Sequence, residues 1–201
     1  MPEHIYQATM DVRMVLIRVM SNRNDHTKWL RPEQPVADLM RNPFGYAGEP
    51  ISVYRVVVGS EETRAIAAHY LTLNRSSYDT VWALRIELQD LDHIGMRIQE
   101  TPGNTGVSDI DAQHRDIIGN QGQFELLTEY LYDRIRHGED RLRVVGHIQL
   151  KHQIQDFLNA ESGILSEDAH TRCLRLPHST SCSHSCGAVL VTAWSYHPAT
   201  L

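Results

Sequence analysis

The sequence predicts an α+β domain with a mixed, mainly antiparallel sheet and helices packed on it. Three observations predict it. Ile51–Val58, ISVYRVVV, is β-branched and aromatic, as strands are. Val81–Leu88 alternates with a period of two, as a half-buried strand does. Between and after these lie segments of helical period that do not alternate strictly with strands, so a parallel doubly wound sheet fits less well than a sheet with helices on one side.

The elements follow in order. Met10–Met20 carries Val12, Val15, Leu16, Val19 and Met20 at helical spacing, with Thr9 as N-cap and Asp11 at the positive end of the dipole. This predicts an amphipathic helix; Met14 and Ile17 make a strand the competing reading. Residues 21–50 hold four prolines, at 32, 35, 43 and 50. They are punctuated into loops around a short helix, Val36–Arg41, with Trp29, Phe44 and Tyr46 as anchors.

The strand Ile51–Val58 ends at Gly59. Ser60 then caps a helix with Glu61 and Glu62 in its first turn, an apolar face of Ile66, Ala67, Tyr70 and Leu71, and Asn74 as its end. After Val81–Leu88, the residues Ile94, Met96 and Ile98 repeat the alternation across a turn at Asp90–His93, which predicts a hairpin. Phe124, Leu127, Tyr130, Leu131 and Ile135 mark a helix that stops at Gly138. Leu142–Ile148 reads as a strand. Ile154, Phe157 and Leu158 mark a last short helix near Asn159.

Residues 1–165 therefore read as one α+β domain, and 166–201 as a tail. From Leu176 onward there is no Asp, Glu, Lys or Arg. That tail is expected to be disordered, or to add one strand over Ala188–Tyr196.

Composition excludes some functions. A net charge of −6 argues against non-specific nucleic-acid binding, which needs a basic face to displace counterions. Among the basic residues only Lys28 and Lys151 are lysines; the rest are arginines, the side chain suited to planar, bidentate anion recognition. No apolar run approaches the about 18 residues of a membrane span, and no signal peptide is visible, so a cytoplasmic protein is expected. Three cysteines, 173, 182 and 186, do not make a disulfide framework. With His170, His178 and His184 they could supply zinc ligands, but their spacing lacks a Cys-x-x-Cys knuckle, and free thiols are the expectation. No Gly-x-Ser-x-Gly or Ser-x-x-Lys is present, and Cys186 has no charged neighbour to activate it.

The stretch Gln99–Gln123, QETPGNTGVSDIDAQHRDIIGNQGQ, reads as a long polar loop between two periodic segments. Such loops are usually functional or disordered, and Ile110, Ile117 and Ile118 argue for order. It brings Asp109, Asp111, His114 and Asp116 within eight residues, a set able to do acid–base work. It matches no calcium loop, lacking the glycine and the twelfth-position Glu. Pro102–Gly106, PGNTG, could expose backbone N–H groups as an anion nest.

Tyr54-Arg55 sits inside a strand, where an Arg can face a cleft and grip phosphate. The pair resembles the strand Arg of ADP-ribosyltransferases. The resemblance spans two or three residues, and that family's catalytic Glu near the end of the fold, with Gln or Glu two residues before it, is absent here.

The expected function is an enzyme acting on a nucleotide-like or NAD-like ligand, by ADP-ribosyl or glycosyl transfer. His114, Asp116 and Asp111 would be catalytic. Arg55, Tyr54, Asn104 and Thr105 would bind substrate. No metal and no particular cofactor is implied. The alternative is a non-catalytic module whose same loop meets a protein partner, with Trp29, Phe44 and Tyr46 contributing.

Overall fold

A computed structural model describes residues 13–20, 50–73, 75–160 and 163–177. Six strands form one sheet: β1 (Met14–Met20), β2 (Ile51–Val57), β3 (Val81–Ile86), β4 (Arg97–Glu100), β5 (His114–Ile118) and β6 (Leu142–Val145). Six helices accompany them: α1 (Ser60–Thr72), α2 (Leu88–Ile94), α3 (Ser108–Asp111), α4 (Gln121–Arg136), α5 (His147–Asn159) and α6 (Glu167–Arg175). The sheet order is β4-β5-β2-β1-β3-β6, and every pairing is antiparallel. The α+β class stands.

Both faces of the sheet are covered, not one. Val15, Ile17, Val19, Tyr54, Val56, Val81 and Ala83 face a core closed by α1, α5 and α6. Leu16, Met20, Val53, Leu84, Ile86 and Ile117 face a second core closed by α2 and α4. Two covered faces explain why β1 is apolar nearly all round. That is also why its helical stripe misleads: the segment is a strand that buries alternate residues on opposite sides.

Three further expectations change. Leu88–Ile94 is a helix ending at Gly95 in the left-handed conformation, so the expected hairpin does not form. Residues 97–100 do form a strand, but it pairs with β5, four places away from β3 in the sheet. The long loop 99–123 contains α3 and the interior strand β5, and it ends in a capping box in which Asn120 and Gln123 bond each other's backbone N–H. Thirdly, a helix, α6, lies beyond residue 165, where the tail is expected to begin. Ser166 caps α6, whose Ala169 and Cys173 are fully buried.

The remaining helices and strands match, with shifted ends. Gly59 rather than Ser60 caps α1, and Glu62 reaches back to its N–H. The expected helix 36–41, the anchors Trp29, Phe44 and Tyr46, Asn74, and the tail beyond 177 lie outside the described residues.

Two ion pairs lie in the packed layers. Glu62 on α1 takes Arg85 of β3 in a two-pronged grip, at 2.6 and 2.8 Å. Asp90 on α2 takes the buried Arg141, with Nη1 at 2.9 Å. They tie one helix on each face to the β3–β6 end of the sheet. Among the described residues, no helix is long and apolar enough to cross a membrane.

Candidate functional site

Antiparallel register places Tyr54 beside His114 and Ser52 beside Asp116 on neighbouring strands β2 and β5. Cross-strand partners share a face, so these four side chains stand together on the α1 side of the sheet. There α1 delivers His69: its Nδ1 lies 3.0 Å from the Tyr54 hydroxyl. The two imidazoles flank the phenol ring edge-on, with centroids 5.8 Å away for His69 and 5.5 Å for His114.

Further polar contacts extend the cluster. His114 Nδ1 lies 2.8 Å from Thr101 Oγ1, in the segment that leaves β4. The Ser52 hydroxyl bonds Asp116 Oδ1 at 3.2 Å. An Arg18 guanidinium N–H donates to the Ser52 carbonyl at 2.9 Å.

Burial sets the charge states. Desolvation, then the nearby Arg18 charge and His114, lowers the His69 pKa to about 4. His69 is therefore neutral at pH 7. Burial first, and then the Asp111 carboxylate, raises the Tyr54 pKa, so Tyr54 keeps its proton. Burial likewise lowers the Arg18 pKa, although Tyr54 and Asp116 oppose it. A neutral imidazole against a protonated phenol is a hydrogen-bonded pair that burial holds in its uncharged form.

Of the residues expected to act, Tyr54, His114 and Asp116 meet here. Arg55 does not. Adjacent strand residues point to opposite faces, so Arg55 projects towards the α2–α4 side, in register with Leu16. Its Nε is buried without a hydrogen-bond partner. Tyr54 and Arg55 cannot hold one ligand together.

Asp111 and Thr105 are also not free to act. The PGNTG turn does form an anion nest, and its anion is Asp111. The carboxylate takes the Thr105 N–H at 2.8 Å, the Thr105 hydroxyl at 2.7 Å and the Gly106 N–H at 3.1 Å. Thr105 is fully buried. The nest is a structural lock that holds the turn against α3. Gly106, with φ +78°, lets this turn meet α6: a Cβ there would lie 2.7 Å from the Ala169 Cβ. Asn104 faces a separate cleft, beside Arg172 and Arg175 of α6.

Reading along the chain missed His69, Arg18, Ser52 and Thr101. The available signal was His69 standing on the apolar stripe of α1, four residues after Ala65 and three after Ile66. Among the described residues no group of three or more His, Cys, Asp or Glu side chains is placed to hold a metal ion.

No known protein family, curated protein or solved structure matches this chain.

Proposed function

We propose that the protein is an enzyme that binds a small polar ligand against the sheet beside Tyr54, with His114 and Asp116 as its acid–base groups and the neutral His69–Tyr54 pair as their support. One observation carries this reading. Two imidazoles and a phenol are gathered on a sheet face whose neighbours are Val15, Ile17, Val19 and Val56. Buried polar groups cost free energy unless bonded, and perturbed titratable groups concentrate at functional sites. His114 and Asp116 still come from the stretch 99–123, so that part of the expected machinery is kept. Arg55 and Asp111 leave it.

A nucleotide-like or NAD-like ligand is the form to test first. The measurement is the histidine ring NMR spectrum during titration with NAD, ADP-ribose and ATP. A bound ligand shifts the His114 and His69 ring protons, and His114→Gln removes most of the affinity. If none of these compounds moves either ring, the nucleotide-like reading fails.

A non-catalytic interaction module is the second reading. It would use Ile148 and Leu174, which are 60% and 56% exposed on α5 and α6 on one side of the sheet. A partner protein would protect these helix faces, and not His69, from hydrogen exchange.

A further inference from the structure

We propose that the cleft beside α6 binds a phosphate group, with Arg172 and Arg175 as its anion-holding residues. The proposal does not rest on the acid–base reading, because none of these residues belongs to the Tyr54 cluster.

Two neighbouring clefts share Arg172 and Arg175. One is completed by Arg75 and Ser76 beyond the end of α1, the other by Asn104 and Thr171. Together they present Arg172 and Arg175 against one carboxylate, Asp168, on a chain whose net charge is −6. A local positive excess on an acidic protein is what steers and holds an anion.

Arg172 is already positioned. Its N–H groups donate to the carbonyls of Asp168 at 3.3 Å, Leu71 at 3.4 Å and Thr105 at 3.3 Å. These acceptors orient the guanidinium without cancelling its charge, because they are neutral. Several other arginines are matched to carboxylates: Arg64 to Asp109, Arg85 to Glu62, Arg115 to Glu100 and Arg141 to Asp90. Arg172 and Arg175 form no ion pair with a described residue.

The spacing suits one anion. Residues 172 and 175 are three apart on one helix and so share a face. The Asn104 amide, the Thr171 hydroxyl and the Ser76 hydroxyl add neutral donors around them. Guanidinium forks with hydroxyl and amide donors match the several acceptor oxygens of a phosphate. The cleft at Asn104 is open, so a phosphate attached to a larger molecule can enter.

The test is isothermal titration of the whole chain with inorganic phosphate, pyrophosphate, ADP and adenosine at low salt. We expect saturable binding of pyrophosphate and ADP, and none of adenosine. Arg175→Gln, which removes an exposed side chain, should weaken binding tenfold or more without lowering Tm. Arg172→Lys should also weaken it, because a lysine keeps the charge and loses the fork. Arg97→Gln, on the far edge strand, should change nothing. ADP binding more tightly than pyrophosphate would assign the phosphate to a nucleotide; equal affinity would assign it to free polyphosphate; both support the cleft. The proposal is overturned if the wild type binds neither pyrophosphate nor ADP. It is equally overturned if Arg97→Gln weakens binding as much as Arg175→Gln does.

Discussion

The Tyr54 hydroxyl and His69 Nδ1 lie 3.0 Å apart, joining the middle of the sheet to the helix above it. This pair makes stability depend on pH. The folded His69 pKa is about 4, against 6.5 in an unfolded chain. Between those values the unfolded state binds the proton more readily, so acid favours unfolding. The His69 contribution is fully present above pH 6.5 and is lost as pH falls towards 4. Its size is at most about 3 kcal/mol, since part of the ring remains accessible to solvent. Denaturant melts at pH 7 and pH 5 should show the fall, and His69→Phe should flatten it. An unchanged slope in that variant would place the titrating group elsewhere.

His114 should matter for folding as well as for any ligand. Its side chain is 8% exposed and bonds Thr101. His114→Ala leaves the Thr101 hydroxyl unpaired beside a small cavity, at a cost of about 1–3 kcal/mol. Arg55 is the contrasting case. Because it stands on the opposite face, Arg55→Ala should leave affinity at the Tyr54 cluster within about twofold, well under 1.4 kcal/mol. Loss of affinity in that variant would contradict the face assignment.

Asp90 and Arg141 should behave as a coupled pair. Asp90 is fully buried, and Arg141 is 4% exposed. Arg141→Met strands a buried carboxylate and should cost about 3–5 kcal/mol. Adding Asp90→Leu removes the stranded charge and should recover much of that loss. A double-mutant cycle by urea melts measures the coupling. Strictly additive losses would mean that the two charges do not depend on each other.

Cys173 should be inert in the native state. Burial pushes its thiol up to about 11, and the side chain packs in the α1–α5–α6 core. In a Cys182→Ser, Cys186→Ser variant, alkylation should be slow in buffer and fast in urea. Fast native labelling would mean that α6 leaves the core.

Local pattern determined a good part of this protein. The β-branched run 51–57, the alternation at 81–86, and the helices α1, α4 and α5 are legible because their side chains state their own period. The titratable residues of 99–123 were legible too, as a cluster of types. The chain alone did not show that β1 has two buried faces, because a strand covered on both sides loses its alternation. Nor did it show β5: HRDII is short and half polar, and becomes a strand only because β2 and β4 flank it and satisfy its backbone groups. The same pairing decided the site. Register set Tyr54 beside His114 and turned Arg55 away, while packing brought in His69 from a helix 15 residues further on. Side-chain chemistry is written in the sequence; which side chains share a face is decided by contacts between segments far apart in the chain, and only the folded sheet makes them.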